Sequence, residues 1–107
     1  MLATIVSRPT AERAMIDAGT KSLTSDLLGL QGYGIITDLG DAKISEANEE
    51  HGYVDLAGSA ANPSVGDQVR ILPNHVCPVV NLFDRVVFIR GDEVLGRVKV
   101  DARGLVQ

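Results

Sequence analysis

Short runs of alternating apolar and polar residues, separated by turns containing Gly and Asp, constrain the fold of this chain most. Successive side chains of a β-strand point to opposite faces, so a period of two predicts strands that lay one face on a core. The clearest case is a hairpin, in which residues 85–89 and 94–100 are joined by Arg90-Gly91-Asp92-Glu93. In its second strand Val94, Val98 and Val100 share one face, as expected for a half-buried antiparallel strand.

The rest of the chain repeats this pattern over its whole length. Further strands are predicted at residues 2–7, 13–17, 33–37, 52–56 and 68–72, with a break at 8–10, a loop at 57–63 and one helical turn within 22–28. Aromatic residues make up only 4% of the chain, so the core must consist of Val, Ile, Leu and Ala. We therefore expect a single all-β domain over residues 1–107, a small antiparallel β-barrel or sandwich with little helix.

Composition narrows the classes of partner. The net charge of −4 argues against nucleic acid, because binding to phosphates relies on an excess of Lys and Arg. The sequence has no apolar stretch of membrane-spanning length, and residues 1–20 lack the layout of a signal peptide. A single cysteine cannot form an intramolecular disulfide, which suits a reducing compartment. We expect a cytoplasmic protein with neither a nucleic-acid nor a membrane partner.

The segment Pro73-Asn74-His75-Val76-Cys77-Pro78 carries the candidate metal site. In an extended segment His75 and Cys77 would point to the same face, and an imidazole with a thiolate can share one zinc ion. Two ligands do not complete a site, so the others must come from water, from His51 or from a partner. The alternative interpretation is a buried, unreactive cysteine beside a surface histidine.

Four segments, taken together, resemble a known family. They are residues 65–82, residues 6–9 with residues 17–23, Glu49-Glu50-His51-Gly52, and Asp101-Ala102-Arg103-Gly104. In this order they resemble the C-terminal β domain of the D-serine dehydratase and D-threonine aldolase family, fold-type III pyridoxal phosphate enzymes related to alanine racemase. The pair is His-x-Cys in the dehydratase branch of that family and His-x-Asp in the aldolase branch. Cys77 thus places the chain nearer the dehydratases.

The resemblance implies a role for each motif. His75 and Cys77 would be metal ligands beside the cofactor, where the metal polarises a substrate hydroxyl for loss as water or for retro-aldol cleavage. His51 would be an active-site or supporting residue, with a neighbouring carboxylate fixing its tautomer. Family members are two-domain proteins, in which a lysine of the large α/β-barrel domain carries the cofactor. None of Lys21, Lys43 and Lys99 resembles that lysine, so pyridoxal phosphate would enter only through a barrel that this sequence lacks.

Two function classes remain open from the sequence. In the first, the chain is a stand-alone or split metal-binding domain of a D-amino-acid dehydratase or aldolase (a lyase), paired with a barrel-domain polypeptide and inactive alone. In the second, the chain is a non-catalytic remnant that acts as an oligomeric interaction module, with other copies of itself as partners.

Overall fold

Six antiparallel strands close into a barrel in the computed structural model, which describes residues 1–105. The strands are β1 (Leu2–Thr10), β2 (Arg13–Ile16), β3 (Gly34–Ile36), β4 (Ala42–Ala47), β5 (Gly52–Asp55) and β6 (Gln68–Pro73). Their order around the barrel is β1-β2-β5-β4-β3-β6, and β6 returns to pair with β1. The predicted small antiparallel barrel is confirmed.

The strand alternation builds the core. On β6, Val69 and Ile71 point inward and are buried, whereas Arg70 and Leu72 are exposed. The other strands follow the same rule, so the interior is filled almost entirely by aliphatic side chains. The largest fully buried residues are Ile5, Ile16, Ile36, Ile44, Val54 and Val69.

Two strand predictions need correction. A break was expected at residues 8–10, but β1 continues to Thr10, with register shifts on either side of Ser7 in its pairing with β2. Such irregularities accommodate Pro9, which cannot donate to a regular ladder. The prediction also missed β4, in which only Ala42 and Ile44 are buried. That strand is defined by pairing with both β3 and β5 rather than by apolar content.

Two short α-helices and a 3-10 helix (Thr37–Leu39) interrupt the strands of residues 1–105. α1 (Thr20–Leu23) overlaps the predicted helical turn, but α2 (Val76–Leu82) was expected to be extended. The β-branched valines of α2 favour a strand by propensity. Pro78 is compatible with a helix because the first-turn N–H groups have no partner within the helix, and Val79 is buried. Among residues 1–105 no helix is both long enough and apolar enough to cross a bilayer.

The last two strands form a separate hairpin. Within residues 1–105, β7 (Arg85–Arg90) and β8 (Glu93–Lys99) pair only with each other, which confirms the predicted hairpin. The expectation of a half-buried strand is wrong, because Phe88 is 55% exposed, Val94 61% and Val98 50%. Strand alternation showed which residues share a face but could not show whether anything covers that face.

Candidate metal site

His75 and Cys77 lie where β6 passes into α2. His75 is the extended residue at the helix N-cap, whereas Cys77 belongs to the first turn of the helix and is exposed. The two side chains therefore do not share a strand face, and this part of the sequence prediction is wrong. What joins them is the strand-to-helix turn, which places an imidazole and a thiol within three residues at one end of the barrel.

The His75 ring contacts a carboxylate that sequence reasoning missed. Its Nδ1 lies 2.7 Å from Oδ2 of Asp26, in the loop that joins α1 to β3. The other carboxylate oxygen of Asp26 accepts the N–H of Leu28 at 3.0 Å. That backbone hydrogen bond, followed by the bond to His75, lowers the pKa of Asp26. No motif links positions 26 and 75, so only the fold reveals the pair.

Asn74 ties the same loop to the metal-site segment. Its side-chain amide donates to the carbonyl oxygens of Gly32 at 2.7 Å and Leu27 at 3.4 Å. Its backbone N–H donates to the Tyr33 carbonyl at 3.3 Å. Asn74 thus anchors the loop of residues 24–33 at two places, at Leu27 and at Gly32 with Tyr33, instead of acting directly on His75.

The segment containing His51 reaches the same end of the barrel through α1. The N–H groups of Thr20 and Lys21 donate to the carbonyls of Asn48 at 2.9 Å and Glu49 at 3.1 Å. The ammonium of Lys21 also pairs with the Glu50 carboxylate. Since α1 packs against α2, it connects this segment with the helix that carries Cys77.

The donor set fits an incomplete zinc site. One imidazole nitrogen and one thiolate sulfur are ligands that zinc accepts. Across the described residues 1–105, however, no three His, Cys, Asp or Glu side chains are grouped to hold a metal ion. His51 is half-buried and is not grouped with His75 and Cys77, so its role as a third ligand stays a prediction.

The lysines do not fit the cofactor. A Schiff-base lysine needs a depressed pKa, from burial or a neighbouring cation. The Lys21 ammonium instead hydrogen-bonds Glu50, which raises its pKa. Lys43 and Lys99 are exposed on β4 and β8. No step of pyridoxal phosphate chemistry is therefore assigned to these three lysines.

Comparison with known proteins shows the family. The model of the "Putative serine dehydratase domain" matches residues 1–89. An uncharacterized protein of Mycobacterium tuberculosis is 39% identical over 107 residues, which cover 95% of this chain and 80% of that protein. D-threonine aldolase of an Arthrobacter species is 35% identical, and the match covers 97% of this chain but 26% of that enzyme. The chain therefore spans about a quarter of the aldolase.

Solved structures agree. D-threonine aldolase from Filomicrobium marinum superposes with a TM-score of 0.81 at 29% identity, over 99% of this chain and 28% of the enzyme. A D-threo-3-hydroxyaspartate dehydratase variant in which a histidine is replaced by alanine gives a TM-score of 0.74 at 25% identity, over 92% of this chain and 30% of the enzyme. A second variant, in the metal-free form, has a cysteine two positions further along replaced by alanine. It gives a TM-score of 0.73 at 26% identity, over 92% of this chain and 31% of the enzyme.

Fold, motif order and sequence identity thus converge on one assignment. The chain belongs to the serine dehydratase domain family and corresponds to the C-terminal β domain of D-threonine aldolase-like and D-serine dehydratase-like proteins.

Proposed function

We propose that this chain supplies a zinc-binding site to a pyridoxal phosphate-dependent D-amino-acid lyase centre, whose cofactor is held by a barrel on a separate polypeptide. The observation that carries the proposal is the His75-x-Cys77 pair at the β6–α2 junction. The histidine and cysteine replaced in the matched dehydratase variants have the same spacing, and the cysteine variant is metal-free. A bound metal would polarise the substrate hydroxyl as a Lewis acid.

The residues of this chain have distinct parts in such a centre. His75 would supply an imidazole nitrogen and Cys77 a thiolate sulfur as metal ligands. The remaining coordination positions would be filled by water, substrate or a group of the barrel. Because the thiol must stay reduced and this is the only cysteine, the cytoplasm is the compartment that we propose.

The mycobacterial relative supports a free-standing domain. The match covers 80% of that protein, so only a fifth of its length lies outside it. An α/β barrel of this kind needs on the order of 250 residues, which such a remainder cannot supply. A barrel working with that relative must therefore belong to another polypeptide, and the proposal extends this arrangement to the present chain.

Zinc titration of the purified chain tests the metal site. We expect one zinc ion per chain, measured by competition with a chromogenic chelator, and a loss of about 10-fold or more in affinity for His75→Ala and for Cys77→Ser. The variant His51→Ala separately tests the third ligand. Retention of parental affinity by both His75→Ala and Cys77→Ser would refute the metal site.

Reconstitution tests the split centre. The chain with pyridoxal phosphate should not release pyruvate from D-serine faster than the free cofactor does, because the cofactor is the electron sink and none of the three lysines resembles the residue that holds it. Adding a barrel-domain polypeptide of the family, expressed separately, should restore turnover that depends on Cys77. Pyruvate formation by the chain alone, abolished by a single Lys→Ala change, would contradict the proposal.

A second candidate function, an oligomeric interaction module, is favoured by the exposed hairpin. An isolated two-stranded hairpin is marginally stable in water, so apolar faces such as those of β7 and β8 are expected to be covered. We propose that a second copy of this chain covers these faces, because the hairpin is basic and the barrel is acidic. Residues 85–99 carry four basic and two acidic side chains, whereas residues 1–82 carry five basic and ten acidic ones.

A further inference from the structure

We propose that Asp26 is the positioning residue of the His75–Cys77 site, fixing His75 as the tautomer whose Nε2 is free to bind metal. This inference rests on the proposed metal-binding function. The contact that carries it is the 2.7 Å approach of Asp26 Oδ2 to His75 Nδ1. A carboxylate has no proton to give at neutral pH, so Nδ1 carries the hydrogen of this contact, and in the neutral ring Nε2 then holds the lone pair.

The Asp26 carboxylate is oriented by hydrogen bonds within its own loop, independently of His75. Oδ1 of Asp26 accepts the Leu28 N–H at 3.0 Å, and the Asp26 N–H donates to the Thr24 hydroxyl at 3.2 Å. Thr24 and Leu28 have φ values of 65° and 52°, a region that side chains other than glycine rarely adopt. Such backbone persists only where its surroundings enforce it, so the orientation of Asp26 is built into the loop.

Asn74 supplies the matching restraint from the other side. Its amide bonds to Leu27 and Gly32 hold the loop against the residue that immediately precedes His75. Asp26 and His75, 49 positions apart, are therefore carried on two segments that are tied together next to their contact. The His75 side chain is 27% exposed, so part of the ring remains open to solvent.

Metal-ligating histidines usually donate their other ring N–H to a carboxylate or a carbonyl, which fixes the ring and strengthens it as a ligand. Asp26 would perform this role here. The competing explanation is an ion pair that only stabilises the fold. An ion pair needs a protonated imidazole, whereas the tautomer preference persists in the neutral ring.

Long-range ¹H–¹⁵N spectra of the metal-free chain at a pH where His75 is neutral distinguish the two explanations. We expect protonated Nδ1 and unprotonated Nε2 in the parent, and loss of that preference in Asp26→Asn. Zinc affinity should fall about 10- to 100-fold in Asp26→Asn. The matched control Asp41→Asn, at an exposed position just before β4, makes the same charge change and should alter neither measurement.

The outcomes distinguish a failure of the positioning role of Asp26 from a failure of the proposed metal-binding function. An Nε2–H tautomer in the parent, or an unchanged tautomer in Asp26→Asn, would overturn the positioning role whatever the chain binds. A tautomer that changes while zinc affinity does not would also overturn it. If the parent fails to bind zinc, the proposed metal function fails, and the spectra alone still decide whether Asp26 fixes the His75 ring.

Discussion

At the scale of single residues, the sequence identified side chains suited to metal binding but not the residues that contact them. His75 and Cys77 stand out because their side chains suit zinc and the surrounding motif resembles a known family. Asp26 carries no such signal, since its role depends on a contact with a residue 49 positions away. Asn74 carries no such signal either, and only the structure shows that it holds a loop in place. Long-range polar pairing is the part of the site that sequence patterns do not contain.

One polar pair gives a pH-dependent stability. The Arg70 side chain donates from Nη2 to Asp38 Oδ1 at 2.5 Å, and the Arg70 backbone N–H donates to Oδ2 at 2.6 Å. The bonds from Arg70 hold the pKa of Asp38 below its ordinary value of 3.8. A lowered pKa in the folded state stabilises the fold above the ordinary value, and this contribution is lost as pH falls through the lowered one.

We therefore expect Asp38→Asn to reduce stability at pH 7 but to make little difference at a pH below the lowered pKa of Asp38. Urea unfolding of parent and variant at both pH values measures the change in the free energy of unfolding. Glu12→Gln, in an exposed turn, removes the same charge and is the control. Equal destabilisation by Asp38→Asn at both pH values would show that the carboxylate charge is not the source.

At the scale of elements, the sequence predicted strands better than helices. Seven of the eight strands in the described residues 1–105 were expected near their observed positions, because alternation is a local signal that does not need the rest of the fold. α2 was not expected, since Val76, Val79 and Val80 favour a strand by propensity, whereas in the structure they lie in a helix that buries Val79. β4 was missed because three of its six residues are exposed and only two are buried.

The attachment of α1 gives a prediction at this scale. Gly19 precedes α1, and a Cβ on it would lie 2.4 Å from the Asn48 carbonyl oxygen and 2.5 Å from that of Glu49. Because these are backbone atoms, Gly19→Ala should push the His51 segment away and cost about 1–3 kcal/mol in the free energy of unfolding. The control Gly96→Ala meets nothing within 4 Å and should be close to neutral. Thermal and urea unfolding compare the two, and equal stability would show that the segment moves freely.

At the scale of the whole molecule, the sequence predicted a small all-β barrel or sandwich, of which the structure shows the closed barrel, but it did not predict the exposure of the hairpin. Short alternating strands predict a barrel or a sandwich, because either can be filled by the aliphatic side chains of one strand face. Whether β7 and β8 are covered depends on a surface outside the chain, which no periodicity encodes. Exposed apolar patches of more than a few hundred Å² normally mark an interface.

We therefore expect a dimer at micromolar concentration, with the two hairpins exchanged symmetrically so that each covers the other copy. Light scattering across a dilution series measures the mass. Val98→Ser on β8 should shift the equilibrium towards monomer, whereas Val65→Ser, at a similarly exposed valine in a barrel turn, should not. A parent chain that is monomeric at every concentration, or equal behaviour of the two variants, would argue against the hairpin interface.

The pairing of β6 with both β1 and β3 also has a kinetic consequence. Leu2 in β1 pairs with Arg70 in β6, and nearly the whole barrel sequence lies between them. The barrel can therefore close only after β6 has left the ribosome. Non-local pairings of this kind slow folding, because loop entropy is lost before contacts compensate for it. Since β6 runs directly into the His75 turn, the site is assembled in the same cooperative event that closes the barrel. A ligand that binds His75 and Cys77 together therefore acts on the folding equilibrium of the entire barrel.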